Sequence, residues 1–269
     1  MAVVLLASPP AVSSESTSAC FTFEAPKGVT ATEVFGLIAP GEDQQLATLI
    51  GLQKWPQKED TYVGIVCLAP DKKSRANDLD YCQGTGCCRA GYGGFNEAKE
   101  PRRVFIGVVE YKDRLKLVAS SGGPLSVLTN WQQSNIDPND DVNADGVYPG
   151  IYKGFDFAPY KVANDQIAFG IRVGWQVMYG GGGGMYDALM LFLVRGDKIV
   201  NVLSEPIGES GMSGGAAEEK RTWETNNVVR ILPSKHAGHF DLQLKARGGK
   251  WKQTFQWDAG AYRYLPQPK

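Results

Sequence analysis

Alternation of apolar and polar residues with a period of two dominates the chain, and it is clearest between residues 166 and 175. Ile167, Phe169, Ile171, Val173 and Trp175 fall on one side, with Gln166, Ala168, Gly170, Arg172 and Gly174 on the other. Successive side chains of a strand point to opposite faces, so this pattern predicts a strand with one buried face. The small residues opposite predict close approach by a second element. Leu189 to Val194 is apolar on both faces, as a strand central in a sheet must be. It turns at Arg195-Gly196-Asp197-Lys198 into a strand over Ile199–Leu203. Val228–Leu232 follows, then Phe240, Leu242 and Leu244 alternate with Asp241, Gln243 and Lys245. A Gly248-Gly249 turn of the two-residue hairpin type leads into Trp251–Trp257, and Tyr262–Leu265 reads as an edge strand.

The first half of the chain has the same texture. Tyr62–Leu68 and Val104–Val109 are strand-like, and Leu115, Leu117 and Ala119 alternate with polar neighbours after a Lys112-Asp113 turn. Helix signals are sparse. Glu42–Leu52, with Leu46, Leu49 and Ile50 on one stripe, predicts a helix, and Leu125–Trp131 a weaker one. The order strand, Gly-rich segment, hairpin occurs twice, once around Tyr62–Val66 and Asp113-Arg114-Leu115, and once around Ala168–Val173 and Asp197-Lys198-Ile199. The fold expected is mainly β, with antiparallel sandwich-like sheets and one or two short helices, as one domain or as two related halves. The corresponding division is a signal remnant or disordered tail at 1–19, and an N-terminal β-rich half with a Cys-rich insertion at 20–122. A polar connection rich in Asp and Asn follows at 123–150, then a C-terminal antiparallel half at 151–269.

Composition narrows the classes of function. The chain has 269 residues, and 43% of them are hydrophobic, ample for a core. Lys and Arg number 28 against 29 Asp and Glu, a balance without the concentrated basic footprint that nucleic acid requires. No apolar run approaches the roughly 18–20 residues that span a bilayer. Ala2–Ala7 is a short apolar run before Ser8-Pro9-Pro10, with Ala11-Val12-Ser13 a small-x-small cleavage signal. A disordered tail is the alternative. Five cysteines occur, at 20, 67, 82, 87 and 88, and four lie within a short span. Their spacing matches no zinc pattern, so disulfides in an oxidising compartment are expected, and with them a periplasmic or secreted location. Thr17-Ser18-Ala19-Cys20 loosely resembles a lipidation signal but has Thr where Leu is usual.

Candidate chemistry is thin. Asp141-Val142-Asn143-Ala144-Asp145-Gly146 matches the opening of a calcium loop, with oxygens at positions one, three and five and Gly at six. Tyr152 stands where the closing Glu belongs. Asp141, Asn143 and Asp145 are thus metal candidates, for calcium, against an Asx-rich surface turn. Gly211-Met212-Ser213-Gly214-Gly215 satisfies G-x-S-x-G, yet only His236 and His239 are available as a base, with Glu218, Glu219 or Glu224 as third member. Gly180–Gly184 lacks the Lys or helix start of a phosphate loop and predicts a loop or bulge between strands. Arg195-Gly196-Asp197 reads as a turn.

Aromatic residues near these loops, Tyr148, Tyr152, Tyr179 and Tyr186, are the partner-binding candidates. The expected function is therefore that of an exported, non-enzymatic binding protein. It would recognise a protein partner, as an inhibitor, an immunity-like protein or an envelope component does, through Gly- and Asp-rich loops. Carbohydrate binding is the second reading. The rival class is a hydrolase, built on Ser213 or on paired carboxylates as in a glycosidase.

Overall fold

The computed structural model describes residues 21–82, 88–89, 93–95, 100–136, 138, 146–214 and 221–268. The chain is mainly β, and one large mixed sheet curls until it nearly closes into a barrel. Four antiparallel strands from the first half, β1 (Ala47–Lys54), β2 (Thr61–Leu68), β4 (Arg103–Tyr111) and β5 (Leu115–Ser120), form one wall. The other wall comprises β6 (Ile151–Lys161), β7 (Ile167–Tyr179), β8 (Gly182–Arg195) and β9 (Lys198–Ser213). The walls meet where Ser120 of β5 pairs in parallel with Lys198 of β9. At the opposite seam the short β3 (Cys88–Arg89) lies on the edge of β6. A disulfide from Cys67 of β2 to Cys88 of β3 crosses that seam, as does the edge-to-face contact of Phe21 with Phe155. Cys82 is disulfide-bonded as well.

Side-chain alternation explains why the sheet needs cover on both faces. Val104, Ile106 and Val108 of β4, Phe169, Ile171, Val173 and Trp175 of β7, and Met190 and Phe192 of β8 point into the barrel and fill it. Leu189, Leu191 and Leu193 of β8 point outward with Ala168, Val202 and Leu203. They are covered by a C-terminal sheet through Leu242, Leu244, Phe255, Trp257 and Tyr264. That sheet comprises the second half of β10 (Arg221–His236), β11 (His239–Ala246), β12 (Lys252–Asp258) and β13 (Arg263–Pro266), with β13 at its edge. On the other wall Val34, Phe35 and Ile38 of α1 (Ala31–Ile38) cover Leu52, Val66, Leu68 and Phe105. Packing of sheet on sheet is thus confined to the β7–β9 side, and elsewhere the expected sandwich is replaced by barrel curvature.

Both helix expectations fail, for a common reason. Gln44–Leu46 is a 3-10 turn that runs straight into β1. There Leu49 faces the barrel and Leu52 faces α1, so pairing with β2 decides the conformation. The 125–131 segment forms no helix, and Thr129 makes a bridge with Val147. The actual α1 begins at Thr30, whose hydroxyl accepts from the Glu33 amide, the first half of a Thr-x-x-Glu capping box. The second helix, α2 (Lys72–Tyr81), starts at Asp71, which caps the Ser74 amide. It buries only Asp78, in an ion pair with Arg102, so it has no apolar stripe to read. The Gly248 turn is a four-residue loop, since Lys245 pairs with Lys252 and the Ala246 amide bonds the Trp251 carbonyl.

Candidate functional site

A four-stranded ribbon runs past the last β6 pair, Ile151 with Gly174. It comprises residues 175–179 of β7, 182–186 of β8, 209–213 of β9 and 221–225 of β10, all in antiparallel register. The run Gly180–Gly184, expected as a loop or bulge, is mostly strand. Tyr179 pairs with Gly182, leaving Gly180 and Gly181 as a two-residue turn with Gly181 at φ 101°, a value only glycine adopts freely. Glycine also makes room for rings. Gly211 lies beneath the Trp223 indole, and a β-carbon at Gly182 would stand 2.9 Å from the Tyr179 ring.

One face of this ribbon continues the barrel lining, from Trp175 and Tyr186 to Val177. The other presents Gln176, Met178, Met185, Ser210, Met212, Thr222 and Glu224. Four of the eight large apolar side chains exposed among the described residues are on the ribbon: Met178, Met185 and Met212 on this face, and Tyr179 on the opposite face beside the turn. The outer edge of β10 over 221–225 has no strand partner among the described residues, because the Asn226 carbonyl accepts from the Arg247 amide and pairing with β11 begins at Asn227.

The tyrosines expected to bind a partner divide into two groups. Tyr152 and Tyr186 are corrected to core positions, each 4% exposed. Tyr152 lines the barrel between Cys88 and Val173, where burial pushes its phenol pKa well above normal. Tyr186 packs against Phe95 and Trp131. Tyr148 is half-buried, with its hydroxyl 3.4 Å from Ser126 Oγ and its carbonyl accepting from Trp175 Nε1. Tyr179, half exposed, stands on the ribbon. The calcium candidates Asp141, Asn143 and Asp145 lie outside the described residues. Among those described, no three His, Cys, Asp or Glu are grouped to hold a metal ion.

Ser213 ends β9 between Gly182 and Arg221, flat in the ladder rather than on a strand-to-helix elbow. The full sixteen-residue length of β10 separates its start beside Ser213 from His236, a contour of about 50 Å at about 3.3 Å per residue. Both histidines have other partners. His236 Nδ1 lies 2.6 Å from Asp241, and His239 stacks on Trp257 with centroids 3.9 Å apart. At the bulge carrying Pro233, Ser234 donates to the same Asp241 at 2.6 Å. The carboxylate stands between hydroxyl and imidazole, so the imidazole is not placed to deprotonate that serine.

No protein-family model, curated protein or solved structure matches this chain.

One buried acid escapes sequence reasoning. Glu205 faces the layer between barrel and C-terminal sheet, 6% exposed. Its carboxyl accepts from Asn130 Nδ2 at 3.0 Å, and the Asn130 amide bonds the Ser204 carbonyl. Thr129 and Asn130 thereby fill the gap on β9 left between β5 and β10. Burial, opposed by Asn130 and Arg263, pushes the Glu205 pKa up to about 8. The sequence signal was an acid inside Val202-Leu203-Ser204-Glu205-Pro206-Ile207, with apolar residues on both sides. Among the described residues, no helix is long and apolar enough to cross a membrane.

Proposed function

We propose that this is an exported, non-enzymatic binding protein that recognises a protein partner through the β7–β10 ribbon. The observation that carries the reading is the clustering of Met178, Met185 and Met212 on one face of a projecting element, with Tyr179 exposed beside its turn. Exposed apolar side chains gathered in one patch are characteristic of interaction sites, and methionine packs adaptably against a partner. Among the described residues the edge of β10 over 221–225 pairs with no further strand, and an extended segment can add there as one. Export is supported by the disulfide from Cys67 to Cys88.

The test compares wild type with Met178→Lys/Tyr179→Ser as bait for proteins from its own compartment. A discrete partner should be retained by wild type and bind at least tenfold more weakly to the variant. It should also be retained by Ile231→Lys, a change at an exposed apolar site outside the ribbon. Equal retention by all three baits contradicts the reading.

A further inference from the structure

The three exposed methionines are arranged around a single glycine. Gly183 of β8 pairs with Met178 of β7 on one side and with Met212 of β9 on the other. Met185 is two residues along β8, and so on the same face. With strands about 4.8 Å apart and a rise of about 3.4 Å per residue, the α-carbons of Met178 and Met212 are about 10 Å apart, and that of Met185 is about 8 Å from each. Three unbranched side chains rooted on a triangle of that size can bring their sulfurs together above Gly183. One sulfur is already there: a β-carbon on Gly183 would stand 2.8 Å from Met178 Sδ, and the glycine is buried although its flanking methionines are exposed.

Chemistry separates this cluster from a merely greasy patch. Leucine or phenylalanine would serve a dry contact equally well, yet all three positions around Gly183 are methionine. The whole chain has only five methionines, so their concentration here is a choice of thioether. Their neighbours on this face, Gln176, Ser210 and Thr222, are uncharged, with Glu224 the nearby acid. Thioether sulfur is a soft, neutral ligand that favours copper(I) over hard or borderline divalent ions.

We propose that this face binds a soft monovalent cation, copper(I), through the thioethers of Met178, Met185 and Met212. The site goes beyond the partner-binding reading and requires no partner, so the two stand or fall separately. The test uses the oxidised protein, with free thiol blocked by N-ethylmaleimide and methionine methyls labelled with carbon-13. Silver(I) is titrated in chloride-free buffer as a redox-stable probe, and copper(I) anaerobically against bicinchoninate. One equivalent of either ion should shift the methyl signals of Met178, Met185 and Met212 together. The signal of Met190, fully buried in the barrel, should not move. Each single Met→Leu variant should weaken binding about tenfold or more, while zinc(II) leaves the signals in place. Absence of saturable one-to-one binding overturns the proposal, as does binding that survives Met178→Leu/Met185→Leu/Met212→Leu. Silver(I) binding without copper(I) binding overturns the assignment of the ion. Should the triple variant fail to fold, the wild-type methyl shifts decide alone.

Discussion

At the scale of single residues, Glu205 has the most definite consequence. Its folded pKa, about 8, lies above that of an unfolded glutamate, so the native state holds a proton that the unfolded chain releases at lower pH. The resulting stability is fully present below the unfolded pKa and falls as pH rises through the window up to about 8. Glu205→Gln should match wild type near pH 4 and exceed it at pH 9 by several kcal/mol, on the order of 5 kcal/mol. Denaturant midpoints of both proteins at the two pH values check this, and a gap that does not widen with pH contradicts it. The position is hard to read from sequence because acids are scattered along the chain, and only burial on a bulged strand makes this one unusual. The tyrosines show the same limit. Tyr152 and Tyr186 look as loop-like as Tyr179, but strand register sends their rings inward.

At the scale of elements, a strand was legible both where one face alone is apolar and alternation shows, and where both faces are covered and the run is apolar throughout. Leu189–Val194 is apolar on both faces because Met190 and Phe192 fill the barrel while Leu191 and Leu193 meet the C-terminal sheet. The stripe at Glu42–Leu52 misled because Leu46, Leu49 and Ile50 satisfy a helical spacing while tertiary pairing with β2 determines the structure. The capping sequence Thr30-x-x-Glu33 was the better helix signal. The glycine run looked like a loop because glycine marks turns and close approaches alike, and only its partners Met178 and Tyr179 distinguish them. Closure of the barrel seam rests on few elements. β3 has two residues and, among the described residues, pairs only with β6, so the tie to β2 seen there is the disulfide across a 21-residue separation. Cys67→Ala/Cys88→Ala should cost about 3 kcal/mol, read as a lower unfolding midpoint. An unchanged midpoint would show that β3 contributes nothing to closure.

At the scale of the whole molecule, strands from before residue 122 and after residue 150 together build one nearly closed barrel. That arrangement depends on contacts distant in sequence, such as Ser120 with Lys198 and Cys67 with Cys88, which local alternation does not encode. Among the described residues, cover by α1 on one wall and by the C-terminal sheet on the other leaves the β7–β10 ribbon as a stretch whose outward face carries clustered apolar side chains without a covering layer. A partner that grips the end of this ribbon meets residues 178 and 212 on its outer face and 179 beside the turn. The decisive measurement is photo-crosslinking from single benzoylphenylalanine residues placed at those positions, and at Tyr81, Leu128 and Ile231 as exposed sites elsewhere. The account predicts one discrete crosslinked species from the three ribbon positions and none from the others; crosslinks from all six alike, or from the outlying positions alone, would contradict it.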